Sequence, residues 1–175
     1  VTTWIAGMPW WTDHSRVEDL EGGGHADFLF TASGTFSDFG FWVVRGEDLA
    51  GMRDTEWGRV PKLLFRTSFS RLDTYESLDA NGDGQADLAV QVKADSREGL
   101  LVLFGGEHFA GRGEVLIDDA FLDGGRRGLV AMGRPFGKSY PSLGFVLSRA
   151  GDIDGDGNED LLAGSPAIDA FEDGR

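Results

Sequence analysis

Apolar residues in this chain come in short runs set between glycine-, serine- and aspartate-rich stretches. Ala26-Asp27-Phe28-Leu29-Phe30-Thr31 is one such run, and Phe39-Gly40-Phe41-Trp42-Val43-Val44-Arg45 follows it. Ala86-Asp87-Leu88-Ala89-Val90-Gln91-Val92 and Gly99-Leu100-Leu101-Val102-Leu103-Phe104 form a second pair, and Asp160-Leu161-Leu162-Ala163 begins a third. Runs this short, rich in Phe, Val and Leu and without a 3.6-residue period, predict buried strands rather than helices. Each pair is preceded by a polar loop, so the predicted unit is loop, strand, turn, strand.

The units repeat in register. Arg45-Gly46-Glu47-Asp48-Leu49-Ala50-Gly51 and Gly105-Gly106-Glu107-His108-Phe109-Ala110-Gly111 share four of seven residues at a spacing of 60 (106 − 46), which is also the spacing from Gly24 to Gly84. From Gly84 to Gly157 the step is 73 (157 − 84), which places an insertion of 13 residues (73 − 60) in the Gly- and Arg-rich segment Asp123 to Gly137. The pattern divides the chain into a Trp-rich lead-in strand at 1–12 and repeats at 13–72, 73–142 and 143–175. The last of these holds a first strand but no Gly-led second one. Repeats of roughly 40 to 60 residues carrying several strands each are the signature of propeller blades. The expectation is an all-β fold of β-propeller blades, an incomplete portion of a larger ring. The lead-in holds Trp4, Trp10 and Trp11; it reads equally as a strand of a neighbouring unit and as a hydrophobic plug over the first strand.

The polar loops carry the chemistry. Asp152-Ile153-Asp154-Gly155-Asp156-Gly157-Asn158-Glu159-Asp160 places carboxylates at positions 1, 3, 5 and 9 around a glycine at position 6. Ca²⁺ seeks six to eight oxygen ligands, and alternating carboxylates with a backbone carbonyl at position 7 wrap one ion while the glycine allows the sharp turn. The expected ligands are Asp152, Asp154, Asp156 and Asp160 with the carbonyl of Asn158. In the second loop they are Asp79, Asn81, Asp83 and Asp87 with the carbonyl of Gln85. The first loop, Asp19 to Asp27, has Glu21 at position 3 and Gly23 at position 5, leaving a smaller set of Asp19, Glu21 and Asp27. Two Ca²⁺ sites are thus expected, with a third set in worn form. An EF-hand needs a bidentate Glu at position 12 and flanking helices. Here position 12 is Val90 or Ala163, and each loop runs straight into an apolar strand.

Leu143-Gly144-Phe145-Val146-Leu147-Ser148-Arg149-Ala150-Gly151-Asp152 through Gly164-Ser165-Pro166 resembles an FG-GAP repeat of the integrin α-subunit type. Leu-Gly stands for Phe-Gly and Gly-Ser-Pro for Gly-Ala-Pro. The second unit departs at Gln91-Val92-Lys93 and the first at Thr31-Ala32-Ser33. The resemblance implies a propeller of about seven blades with structural calcium in loops on one face. It implies a secreted, cell-surface or periplasmic adhesion module that binds protein or glycan ligands. Further blades would come from the same polypeptide or a partner chain. The alternative is the propeller scaffold of a calcium-dependent extracellular enzyme that cleaves a polysaccharide or phosphoester.

Composition narrows this further. Thirty acids against 16 bases give a net charge of −14, which disfavours phosphate backbones and anionic membrane surfaces. No nucleic acid partner is expected. No apolar run of 18 residues occurs, so no membrane insertion is expected either. Without cysteine there is no disulfide framework and no thiolate chemistry. His14, His25 and His108 are scattered and match no zinc pattern, Ser165 lacks a nucleophile-elbow context, and Asp118-Asp119 reads as a turn. Arg126-Arg127 is too small a basic patch to define a partner. No catalytic residue is assigned.

Overall fold

The computed structural model describes residues 5–6, 12–32, 40–50, 52, 55–67, 74–94, 97–106, 109, 111–118, 121, 130–132 and 146–164. Trp4, Trp10, Trp11, His108, Asp119, Arg126, Arg127, Leu143 to Phe145 and Ser165-Pro166 lie outside them.

The described residues hold thirteen strands, one five-residue α-helix and one three-residue 3-10 turn at Trp57–Arg59, so the fold is all-β. The strands are β1 (Ile5–Ala6), β2 (Thr12–Arg16), β3 (Phe28–Ala32), β4 (Gly40–Val44), β5 (Thr55–Glu56), β6 (Leu63–Thr67) and β7 (Tyr75–Leu78). They continue with β8 (Asp87–Ala94), β9 (Arg97–Leu103), β10 (Gly113–Ile117), β11 (Val130–Met132), β12 (Val146–Gly151) and β13 (Asp160–Gly164); the helix α1 spans Gly46–Ala50.

The first sheet has the order β10-β6-β4-β3-β2, an antiparallel meander with β10 added in parallel to β6. The second sheet, β11-β9-β8-β7, is antiparallel throughout. The third unit is the hairpin β12-β13. Among the described residues no sheet closes on itself.

Each polar loop joins the two strands of a hairpin: β2 to β3, β7 to β8 and β12 to β13. The unit therefore begins one strand earlier than the apolar runs suggest. In β2 the sequence Thr12-Asp13-His14-Ser15-Arg16 carries no apolar pattern, and only its pairing with β3 at the edge of the sheet makes it a strand. Asp27 and Asp87 sit where loop passes into strand, so β3 begins at Phe28 although the apolar run starts earlier.

A second regularity links the units. β1 pairs in parallel with β5, matching Ile5 to Thr55, and β6 pairs in parallel with β10, matching Leu63 to Gly113. Both partners are displaced by 58 residues (63 − 5 and 113 − 55), so the second pairing repeats the first. In this repeat β1 holds the place of β6, and β5 that of β10.

Alternation along the strands divides the apolar side chains between successive layers, because neighbouring residues of a strand point to opposite faces. Leu29, Phe41, Val43 and Phe65 of the first sheet meet Leu88, Val90, Leu101 and Leu103 of the second in the largest core cluster. Phe41 and Phe65 stack there with ring centroids 4.8 Å apart. Phe30 and Val44 turn the other way, onto Trp57 and Val60, with Phe28 and Trp42 beside them. Ala89, Leu100 and Val102, on the far face of the second sheet, enclose Leu147 and Leu161 of the third unit with Leu78. Strands buried on both faces read as continuous apolar runs, which is how these runs appear. The face-to-face stack also brings the three hairpin loops alongside one another.

Candidate metal-binding loops

The three loops share one backbone. Positions 4 and 6 are glycines in the left-handed region each time: Gly22 and Gly24 (φ 82 and 85), Gly82 and Gly84 (72 and 85), Gly155 and Gly157 (79 and 93). Side-chain-bearing residues rarely adopt this conformation, so the double reversal specifies glycine at both places. The carboxylate at position 1 fastens the turn. Asp152 accepts from the backbone N–H of Gly155, Asp156 and Gly157 at 2.7, 3.1 and 3.0 Å. Asp19 accepts from Gly22, Gly23 and Gly24, and Asp79 from Asp83 and Gly84. In the second and third loops the ladder continues: Asn81 and Asp154 accept from position 5, and Asp83 and Asp156 from position 7, at 2.8 to 3.1 Å. Such turns place successive carboxylates around one centre.

The aspartate at position 9 is the lock of each loop. Asp27 and Asp87 are fully buried. One oxygen of Asp27 accepts from Leu20 N–H and the other from Gly46 N–H, both at 2.9 Å. Asp87 repeats this with Ala80 at 2.8 Å and Gly105 at 2.7 Å, and Asp160 accepts from Ile153 at 2.7 Å. Position 9 thus ties loop, first strand and second strand together. Burial raises the pKa of both Asp27 and Asp87, and the backbone N–H bonds oppose that rise. A carboxylate has about four acceptor sites, so these bonds leave capacity for a cation.

Two groups of three carboxylates gather among the described residues, each with one oxygen per residue within 4.8 Å of the others. They are Asp19, Glu21 and Asp27, and Asp152, Asp154 and Asp156; either could hold a metal ion. Loop 2 forms no such group of acids, because position 3 is Asn81, whose amide donates to Asp83 at 3.0 Å. The worn first loop therefore also gathers three acids within that distance, as the intact third one does.

The first loop differs in its surroundings. The Glu21 side chain is 6% exposed, and its Oε2 has no hydrogen-bond partner; Arg45 Nε stands 3.7 Å away. Arg45 itself is engaged by Glu47 at 2.7 Å and Asp48 at 2.8 Å. Burial foremost, and then the neighbouring charge of Asp27, push the Glu21 carboxyl up to about 7. By contrast Asp152, Asp154 and Asp156 are all exposed. Both sets consist of hard oxygen donors, which suit Ca²⁺.

Contacts between loops involve residues outside the expected ligand atoms. The Gln85 side chain of loop 2 lies against Gly22 of loop 1, and Asn158 of loop 3 lies against Gly82 of loop 2. Position 7 therefore rests on position 4 of the preceding loop both times. Glu159 at position 8 goes further: its Oε2 accepts from Asp79 N–H and its own N–H donates to Asp79 O, each at 2.8 Å. Arg149 of β12 donates to Glu159 and, at 2.8 Å, to Glu18 of the first unit. These Glu159 and Arg149 contacts are not apparent from the loop spacing, and the repeat gives no cue to them, because position 8 is Ala26 or Ala86 in the other two loops. Asp118 accepts from Phe121 N–H at 2.7 Å, as a turn residue does.

Compared with protein-family models, curated proteins and solved structures, the chain has no match. No helix among the described residues is long and apolar enough to cross a membrane.

Proposed function

We propose that this chain is a calcium-binding β-propeller segment in which the cations hold the scaffold and neighbouring surfaces bind a protein or glycan ligand. The observation that carries the reading is the threefold recurrence of one hairpin loop. It has left-handed glycines at positions 4 and 6 each time, and in loops 1 and 3 three carboxylates converge within it. In loop 3 the cation would be held by Asp152, Asp154, Asp156 and Asp160 with the carbonyl of Asn158. In loop 2 it would be held by Asp79, Asn81, Asp83 and Asp87 with the carbonyl of Gln85, and in loop 1 by Asp19, Glu21 and Asp27. Bound calcium supplies charge neutralisation and a fixed hairpin end. Mutual repulsion of close carboxylates is the force it relieves.

The stack of sheets through shared apolar layers supports the reading as blades of a larger propeller, and the antiparallel set β6-β4-β3-β2 has the four strands of one blade, while β10 adds a fifth strand in parallel. The resemblance of the third unit to FG-GAP repeats supports a secreted, cell-surface or periplasmic setting and an adhesive role. There, calcium at about 10⁻⁴ to 10⁻³ M matches the affinity of extracellular modules.

Thermal melts test the calcium part. A cation at a hundred times its Kd adds about 2.7 kcal/mol per site, a rise in Tm of roughly 5 to 10 °C for a chain of this size. The expected result is a Tm lowered by EDTA and restored by excess Ca²⁺, with Asp156→Ala removing part of the rise. A Tm indifferent to both reagents would refute the reading.

A further inference from the structure

Loops 2 and 3 are wedged into each other at the residues that build their cation sites. Asp79, which opens loop 2, is gripped on both backbone sides by Glu159: its N–H by the Glu159 carboxylate and its C=O by the Glu159 N–H. Glu159 is in turn held by Arg149. Asn158, whose carbonyl belongs to the loop 3 set, lays its side-chain oxygen over Gly82, where a Cβ would stand 2.4 Å from it. The Asn158 amide also donates to Asp156, a carboxylate of loop 3, at 3.0 Å. Fixing Asn158 and Glu159 therefore fixes the two ends of the turn that carries Asp79, Asn81 and Asp83.

We propose that loops 2 and 3 take up their cations with positive cooperativity, transmitted by Glu159 and Asn158. This rests on the calcium reading of those loops. An ion in loop 3 orders the carbonyl of Asn158 and with it Glu159, which sets Asp79 in place before loop 2 fills. Ordering already completed for one ion is not required again for the second, which is cooperativity without a second conformation. The coupling is reciprocal by linkage. Loop 1 lacks the equivalent of Glu159, and Arg149 reaches only Glu18 there, just before its first aspartate, at 2.8 Å. Its junction with loop 2 is the packing of Gln85 on Gly22 and a backbone bond from Gly106 N–H to Leu20 O, and position 8 there is Ala86.

The test is calorimetric titration of the whole 175-residue chain with CaCl₂. Asp83 forms its hydrogen bonds within loop 2, yet Asp83→Ala is expected to weaken loop 3 by about fivefold or more, the lower range of measured couplings. Asp156→Ala is expected to weaken loop 2 by the same factor. In a Glu159→Ala background both effects should fall below about twofold, while Glu159→Gln, which retains an acceptor for Asp79 N–H, should keep most of the coupling. Alanine at position 8 already occurs in the other loops, so this variant suits the hairpin. A second readout uses ¹⁵N NMR: in the Asp83→Ala protein, calcium entering loop 3 should still shift the Asp79 amide resonance, and that shift should vanish with Glu159→Ala. Calcium uptake with loop 3 unaffected by Asp83→Ala and the Asp79 amide unmoved would overturn the coupling alone. No uptake by the wild-type chain would overturn the calcium reading and the coupling together.

Discussion

At the residue scale, Glu21 shows how burial makes one loop carboxyl the pH-sensitive one. Its carboxyl rises from 4.5 to about 7 because burial, more than any single neighbour, penalises the charge. A carboxyl raised in the folded state favours folding fully below its unfolded pKa, and that contribution is lost as pH rises through the folded value. Without cations, stability should therefore decline through this group between about pH 4.5 and 7. Urea midpoints of wild type and Glu21→Gln, measured at pH 5 and pH 8 in EDTA, check this. The variant is expected to gain on wild type as pH rises, and parallel pH profiles would contradict the assignment. Glu159 behaves in the opposite sense. The Asp79 N–H and then Arg149 hold its carboxyl below the usual range despite partial burial, so its contribution is lost on acidification.

At the element scale, the hairpin is the unit, and its closure depends on close backbone approach. After β4 and β9 the chain returns to the loop so tightly that a Cβ on Gly46 would stand 2.1 Å from Ala26 O, and one on Gly105 2.4 Å from Ala86 O. That approach lets the glycine's own N–H reach the aspartate at position 9. Gly105→Ala is expected to cost about 1 to 3 kcal/mol in a urea melt, since the obstacle is backbone rather than a side-chain end that can swing away. A loss below a few tenths of a kcal/mol would refute the close-packing account. The sequence exposes β3, β4, β8 and β9 plainly because both faces of each are buried, giving uninterrupted apolar runs. It hides β2, whose five residues are polar and whose strand identity comes from pairing alone. The parallel partners β5 and β10 were hidden too, since a pairing between residues 50 apart (55 − 5 and 113 − 63) leaves no local periodicity.

At the scale of the whole molecule, the stack of two sheets and a third hairpin explains why the loops stand side by side and why the acids concentrate there. The spacing of Asp, Gly and Asn identified the loops and their order, because the side-chain-to-backbone turns and the left-handed glycines both act within nine residues. It marked the first loop as worn because position 5 is Gly23 and position 3 is Glu21, and in the fold Asp19, Glu21 and Asp27 still gather within 4.8 Å of one another, as Asp152, Asp154 and Asp156 do. The reason is one of reach: a longer Glu side chain at position 3 and a buried Asp27 bring together what the missing carboxylate at Gly23 left apart. Bonds between loops, such as Glu159 to Asp79 across 80 residues, arise only when the units stack. The net charge of −14 fits a chain whose acids are partly balanced by bound cations.

The most direct measurement of that claim is anomalous difference density from crystals grown with saturating Ca²⁺ and measured at a long X-ray wavelength. The account predicts a peak inside loop 3 among Asp152, Asp154, Asp156 and Asp160, and another inside loop 2 beside Asp79 and Asp83. Loops that retain this backbone at saturating calcium yet show no anomalous peak would contradict it.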